Sequence, residues 1–224
     1  MGRCAYNAPL NQPFSDHIHV TKPLLYLASA SPRRRELLAQ VGIEHLCLPQ
    51  FIDESPQPGE PADVYVERLA REKALRALDD PDYFFDELPI VAADNTVALD
   101  GEILGKPTDA VQGRVMLRRL SDVAHEVLTG IAVVTSDGSL QSRVVRTSVS
   151  FRPLEEPEVL AYWASGEPSD KAGAYAIQGR GAIFVRRIEG SYSNVVGLPL
   201  FETMELLERH GITSALLLNA NGVS

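Results

Sequence analysis

Cysteine is nearly absent from this chain. Two occur in 224 residues, Cys4 and Cys47, and neither has a partner at a metal-ligand spacing. That excludes a disulfide scaffold and a cysteine zinc site, and two reduced thiols in a cytoplasmic protein are the expectation. Histidine is also sparse. His45, His125 and His210 are scattered and no serine stands in a Ser/His/Asp arrangement, which argues against a serine hydrolase and a His-ligated zinc. No apolar run reaches the ~18–20 residues needed to span a bilayer, so no membrane partner is expected. Residues 1–22 lack the apolar core of a signal peptide and show no period, so they read as a flexible extension. In it His17 and His19 have a metal-capable spacing, but a solvated tail is the simpler reading. Residues 219–224 read as a disordered tail. Positive charge is short as well: 21 Lys+Arg against 30 Asp+Glu give a net charge of −9. Broad duplex binding, and with it a nucleic-acid partner, is therefore not expected. A local basic pocket for a small anion remains open.

The rest is globular in composition. Hydrophobic residues make up 45% and charged residues 23%, enough for one sizeable domain, placed at 23–218. Residues 23–28 (PLLYLA) read as a strand running into a helix over 32–41, with Ser31 as N-cap, Pro32 at the first helical position and Gly42 as the left-handed stop. A strand at 45–49, a Pro/Gly/acidic loop at 53–60 and a helix at 61–79 follow. The apolar side of that helix is read as Val64, Leu69, Ala74, Leu75 and Leu78. Residues 88–93 form a buried strand ending in Asp94, 96–99 continue it, and Asp100-Gly101 is a hairpin turn signal. A helix at 110–120, a long hairpin from 126–135 and 140–151, a helix at 155–165, a strand at 182–188 and a helix at 198–210 complete the chain. Hairpins among alternating strands and helices predict an α/β fold with a mixed central sheet flanked by helices.

Four features carry chemistry. Ser29-Ala30-Ser31-Pro32-Arg33-Arg34-Arg35 spans a strand-to-helix junction, where free N–H groups and the helix dipole favour an anion. The three arginines oppose that dipole unless an anion is bound; the alternative is a solvated basic helix start. Asp94 closes an apolar strand, the edge where α/β sheets collect ligands, and can hold a metal or activate a water; alone it also reads as an ordinary loop-starting aspartate. Lys106 stands in a tight Gly-Lys-Pro turn. Residues 166–181 form a loop dense in Gly, Asp and Lys, with glycines that permit close backbone approach. Of the 21 basic residues only four are lysine, Lys22, Lys73, Lys106 and Lys171, and three of these lie in or beside such features. Glu54 adds a further metal-site carboxylate.

Taken together these residues resemble the Maf family of nucleoside triphosphate pyrophosphatases. The opening run LASASPRRRELL matches, and so, in order, do Asp53-Glu54, residues 69–73, Ala93-Asp94, 103–107, 125–130, 165–181 and 191–200 (SYSNVVGLPL). The resemblance covers most of residues 24–210, nearest the dTTP/UTP branch. It implies an elongated mixed sheet of the Maf/ITPase type, usually dimeric, and hydrolysis of a nucleoside triphosphate to monophosphate and pyrophosphate with a divalent cation, Mg²⁺ or Mn²⁺. Carried onto this chain, it makes Asp94 the proton acceptor and puts phosphate binding on Ser29, Arg33, Arg34, Lys73 and Lys106. The metal falls to Glu54 and Asp94, and base selection to Arg33, Asn95 and Gln178. The departure is Asn95, where the closest branch has threonine. Its larger amide bears on base preference and brings modified pyrimidines into range.

Base preference follows from Gln178. Uracil and thymine present acceptor, donor, acceptor along the pairing edge, and a glutamine amide offers one donor and one acceptor to match. The related branch acting on 7-methyl-GTP has glutamate at this position and tryptophan where this chain has Arg33. This chain has neither, so dTTP and UTP are the expected substrates. The competing readings are a nucleotide-binding regulator of cell division without turnover, a 7-methyl-GTP pyrophosphatase, and a phosphatase releasing orthophosphate.

Overall fold

The computed structural model of the protein describes residues 22–84 and 88–213. The expectations for Cys4, His17 and His19, for the extension up to residue 21 and for residues 219–224 lie outside the described residues. Seven strands form one sheet: β1 (Leu25–Leu27), β2 (His45–Cys47), β3 (Ile90–Leu99), β4 (Glu102–Leu104), β5 (Ala124–Val134), β6 (Leu140–Phe151) and β7 (Val185–Glu189). The order is β2-β1-β3-β5-β6-β7, with β4 pairing β3 off this path. β1 runs parallel to β2 and β3, and the remaining pairs are antiparallel. The expected mixed sheet is therefore present, with helical crossovers at the β1–β2–β3 end and the long β5–β6 hairpin in its other half. Among the described residues six α-helices accompany it: α1 (Pro32–Gln40), α2 (Ala62–Leu78), α3 (Ala110–Leu120), α4 (Glu156–Ala164), α5 (Tyr192–Val196) and α6 (Leu200–Glu208). No helix among the described residues is long and apolar enough to cross a membrane.

Strand alternation sorts β3 onto two faces. Ile90 and Ala92 join Tyr26, Ala28 and the α2 alanines Ala70, Ala74 and Ala77. Val91, Ala93, Val97 and Leu99 belong to the larger core on the other face, with Leu37, Leu38, Leu117 and Leu206. The strand runs unbroken through residues 94–96, so Asp94 lies mid-strand rather than at a strand end. The polar run Asp-Asn-Thr gives no apolar signal, yet its backbone stays in the ladder, with Asp94 opposite Gly130 and Asn95 opposite Thr129. On its other edge β3 pairs β1 only as far as Val91, and β4 begins at Val97. Residues 92–96 thus have no strand beside them there, and a crevice opens where β1 turns into α1.

Other expectations need correction. Ser31 is the N-cap residue of α1, but its side chain makes no capping bond; instead Ser29 Oγ accepts from the Ser31 N–H at 3.2 Å. The buried face of α2 is Tyr65, Val66, Leu69, Ala70, Lys73, Ala74 and Ala77, whereas Val64 and Leu75 are exposed. A lysine in the buried stripe breaks the apolar period and shifts the reading to the neighbouring strip. The expected 182–188 strand begins as a 3-10 turn at Arg180–Phe184 before β7. The 198–210 helix is α6, preceded by the short α5, which sequence periodicity over five residues does not reveal.

Gly130 sets how near α2 comes to the sheet. A Cβ there would lie 2.2 Å from the Val66 carbonyl oxygen, a backbone atom that cannot swing away. Gly130→Ala is therefore expected to lower unfolding free energy by about 1–3 kcal/mol, measured by urea denaturation. Unchanged stability would mean that α2 is free to recede.

Candidate active site

The crevice widens into a cleft of about 760 Å³ lined by Ser29, Arg33, Arg34, Glu54, Lys73, Asp94, Asn95 and Lys106. A side pocket shares Arg33 and Asn95 with it and adds Val97, Lys171, Tyr175, Gln178 and Val196. Every residue singled out as a site candidate in the sequence thus lines one of two adjoining hollows.

Asp94 points to the α2 face, and α2 answers with Lys73, two turns beyond the close contact at Val66. Lys73 Nζ donates to Asp94 Oδ1 and to Glu54 Oε1, each at 2.5 Å. The Lys73 side chain is 7% exposed and that of Asp94 11%. A buried ammonium held by two carboxylates satisfies the requirement that an interior charge be paired and hydrogen-bonded. Partial burial pushes the Glu54 carboxyl up, but the Lys73 bond and the charges of Lys73, Lys106 and Arg34 outweigh it and hold the group below its ordinary value. Lys106 stands at the rim, its Nζ 3.8 Å from Glu54 Oε2.

The loop carrying Glu54 is stapled to α2. Tyr65 donates its hydroxyl to the Glu54 carbonyl at 2.8 Å. Arg68 donates to the Ser55 carbonyl and pairs with Glu60. Burial first, then the Asp94 and Glu54 charges, push the Tyr65 hydroxyl well above its usual range, so it stays a donor.

Arg34 is the buried arginine of the α1 triplet, while Arg35 is exposed and Arg33 faces both hollows. Its guanidinium donates to Ser29 Oγ at 2.9 Å, Asn95 Oδ1 at 2.8 Å and the Gly197 carbonyl at 2.8 Å. Burial lowers its affinity for a proton, opposed by the Asp94 charge. Asn95, next to Asp94 in β3, points to the opposite face. Since a guanidinium only donates, it fixes the asparagine oxygen inward and leaves the amide N–H₂ as the group Asn95 can offer elsewhere. Under the side pocket Tyr175 is held by His125, whose Nε2 lies 2.9 Å from the Tyr175 hydroxyl; burial lowers the His125 pKa to about 4. Tyr65 and Tyr175 are given no role by the sequence, and Lys171 enters it only as one of the few lysines. The scarcity of lysine was a usable signal for Lys171; nothing local marks the tyrosines.

Among the described residues no group of three or more His, Cys, Asp or Glu is placed to hold a metal ion. Glu54 and Asp94, brought together by Lys73, are a donor set that suits a magnesium-type cation, which takes one or two protein carboxylates and completes its shell with phosphate oxygens and water.

The Maf-like protein family matches residues 24–210 of the chain. The chain is 56% identical over 191 residues to a dTTP/UTP pyrophosphatase of Anaeromyxobacter sp. (strain Fw109-5), covering 84% of this chain and 89% of that protein. It is 53% identical over 196 residues to a dTTP/UTP pyrophosphatase of Myxococcus xanthus (strain DK1622), covering 87% and 96%. A dTTP/UTP pyrophosphatase of Hahella chejuensis (strain KCTC 2396) is 50% identical over 188 residues, covering 84% and 92%.

Replacing Lys73 by methionine leaves Asp94 buried without its partner. A loss of about 3–5 kcal/mol at neutral pH is expected. Lys73 depresses the Glu54 pKa, so that part of its stabilisation is fully present above the ordinary value of 4.5 and is lost as pH falls through the lower folded value. The stability gap between wild type and Lys73→Met should therefore narrow below pH 4.5, as read by denaturant melts across pH. A gap independent of pH would argue against this charge coupling.

Proposed function

The chain belongs to the Maf family, and on that premise we propose that it hydrolyses nucleoside triphosphates, dTTP and UTP above others, to the monophosphate and pyrophosphate. The observation that carries this reading is the convergence of Asp94, Lys73 and Arg34 in one cleft, joined to a side pocket that contains Gln178. A triphosphate brings roughly four negative charges, and an acidic protein must neutralise them locally. Arg33, Arg34, Lys73 and Lys106 supply that charge, and Ser29 adds a hydroxyl.

Asp94 takes a proton from the attacking water as its oxygen forms a bond to the α-phosphorus. The bond from that phosphorus to the bridging oxygen of the β-phosphate breaks, and pyrophosphate leaves with the electron pair. Lys73 holds Asp94 in position for this step through its bond to Oδ1, and the cleft cations stabilise charge as it builds on the leaving group. Glu54 and Asp94 are the residues that would hold a Mg²⁺ or Mn²⁺ ion. Such an ion adds Lewis-acid polarisation of the phosphoryl oxygens. In the side pocket the Gln178 amide matches O4 and N3–H of uracil or thymine, and the Asn95 N–H₂ offers a donor to a pyrimidine carbonyl. A modified pyrimidine that keeps this edge is read in the same way.

Asp94→Asn keeps shape but cannot take a proton, so turnover should fall by about 10²–10⁴-fold. Triphosphate affinity by calorimetry should change far less. Wild type should release pyrophosphate as first product; orthophosphate plus diphosphate would refute attack at the α-phosphorus.

Gln178→Glu replaces a donor–acceptor pair by acceptors only. Its kcat/KM for dTTP and UTP should drop by more than that for a guanine nucleotide. An unchanged substrate ranking would remove Gln178 from base selection.

A further inference from the structure

Gln178 is exposed and lies between short 3-10 turns, at Ala172–Ala174 and Arg180–Phe184, where no sheet ladder fixes it. A side chain that reads a base must nonetheless be held to within a fraction of an ångström. The local turn supplies one bond, from the Gly179 N–H to the Ala176 carbonyl at 3.3 Å. The other constraints come from two side chains that line neither the cleft nor the side pocket.

Tyr162, on α4, accepts from the Ala176 N–H at 3.0 Å, two residues before Gln178. Glu167, in the 3-10 turn Glu167–Asp170, accepts from the Arg180 N–H at 2.9 Å and the Gly181 N–H at 3.1 Å, just after it. The two are joined, since the Tyr162 hydroxyl donates to Glu167 Oε1 at 2.8 Å. Tyr162 is itself anchored, its ring packed edge-on against Phe184 at 4.9 Å. The glycines fit this clamp. A Cβ on Gly179 would lie 2.4 Å from the Glu167 carboxylate, and one on Gly181 2.6 Å from the Tyr162 hydroxyl. Burial pushes the Glu167 carboxyl up, but its donors prevail and keep it below the ordinary range, as an acceptor-only group.

We propose that Tyr162 and Glu167 are a positioning pair that holds Gln178 against the nucleobase and so sets pyrimidine selectivity without touching the nucleotide. This rests on the reading of Gln178 as the base-selecting residue. The pair grips the backbone on both sides of that residue, so loosening it frees the amide while leaving the cleft around Asp94 and Lys73 in place.

The test compares Glu167→Gln and Tyr162→Phe with wild type on UTP, GTP and ribose 5′-triphosphate, which carries the phosphates without a base. Glutamine puts an N–H₂ group against donors; phenylalanine removes the acceptor of the Ala176 N–H. The ratio of kcat/KM for UTP over GTP should fall by about tenfold or more in Glu167→Gln. Tyr162→Phe should shift it less, in the same direction. The loss should appear mainly in KM for UTP, with ribose 5′-triphosphate turnover much less affected. Thermal unfolding confirms that each variant is folded, and Tyr162→Phe carries the test where Glu167→Gln is not. Folded variants that keep the wild-type UTP-to-GTP ratio within about twofold, or that lose activity equally on all three substrates, overturn the proposal. A wild type with no preference for UTP over GTP removes the Gln178 reading itself.

Discussion

The ammonium of Lys73, buried between Asp94 and Glu54, ties three separate parts of the chain to one point. An interior charge is tolerated only where its partners lie at hydrogen-bond distance, so β3, α2 and the loop at 53–60 cannot drift independently. α2 meets this demand along its length. Val66 presses on Gly130, which brings the helix close enough for Lys73 to reach Asp94. Tyr65 and Arg68 hold the Glu54 loop against the same helix. One helix thus supplies the lysine and fixes both carboxylates relative to it.

Asp94 and Asn95 show how the sheet separates two tasks. Adjacent strand residues point to opposite faces, so the carboxylate meets α2 while the amide meets α1 and the turn after α5. Arg34 connects the two sides. Its bonds reach Ser29 after β1, Asn95 in β3 and Gly197 after α5. Gly197 has φ +126, and a Cβ there would stand 3.1 Å from the Asn95 oxygen, so glycine serves both the backbone and the approach. Moving Asn95 would therefore disturb Arg34 in the cleft as well as the side pocket.

What could be read in the sequence follows from how local each signal is. α3 and β6 occupy the residues the sequence assigns them. The failures fall on the site. The polar run at 94–96 hid the continuity of β3, and Lys73 hid the buried face of α2. Both are places where chemistry overrides the apolar pattern that sequence reading depends on. The lining residues Ser29, Arg33, Arg34, Glu54 and Lys106 of the cleft and Gln178 of the side pocket were legible because together they form recurring motifs at matching spacing. Tyr65, Tyr162 and Glu167 were not, since each acts on a backbone brought to it only by the fold.

Local pairing of surface charge explains how an acidic chain can still present a basic cleft. Several outward-facing arginines are matched locally with acids: Arg118 with Glu156, Arg119 with Glu102, Arg152 with Glu158. Their planar forks suit such carboxylate pairing. The Arg152 pairing, with the Glu155 N–H, holds Glu158 at about 2. These pairs leave little field to attract a nucleotide at a distance. Lys73 and Lys106 instead line the cleft and Lys171 the side pocket, alongside Arg33 and Arg34. Such pairs cancel, so the net charge reports the acids left over, and the cleft departs from it because Arg33, Arg34, Lys73 and Lys106 outnumber Glu54, Asp94 and Asp170.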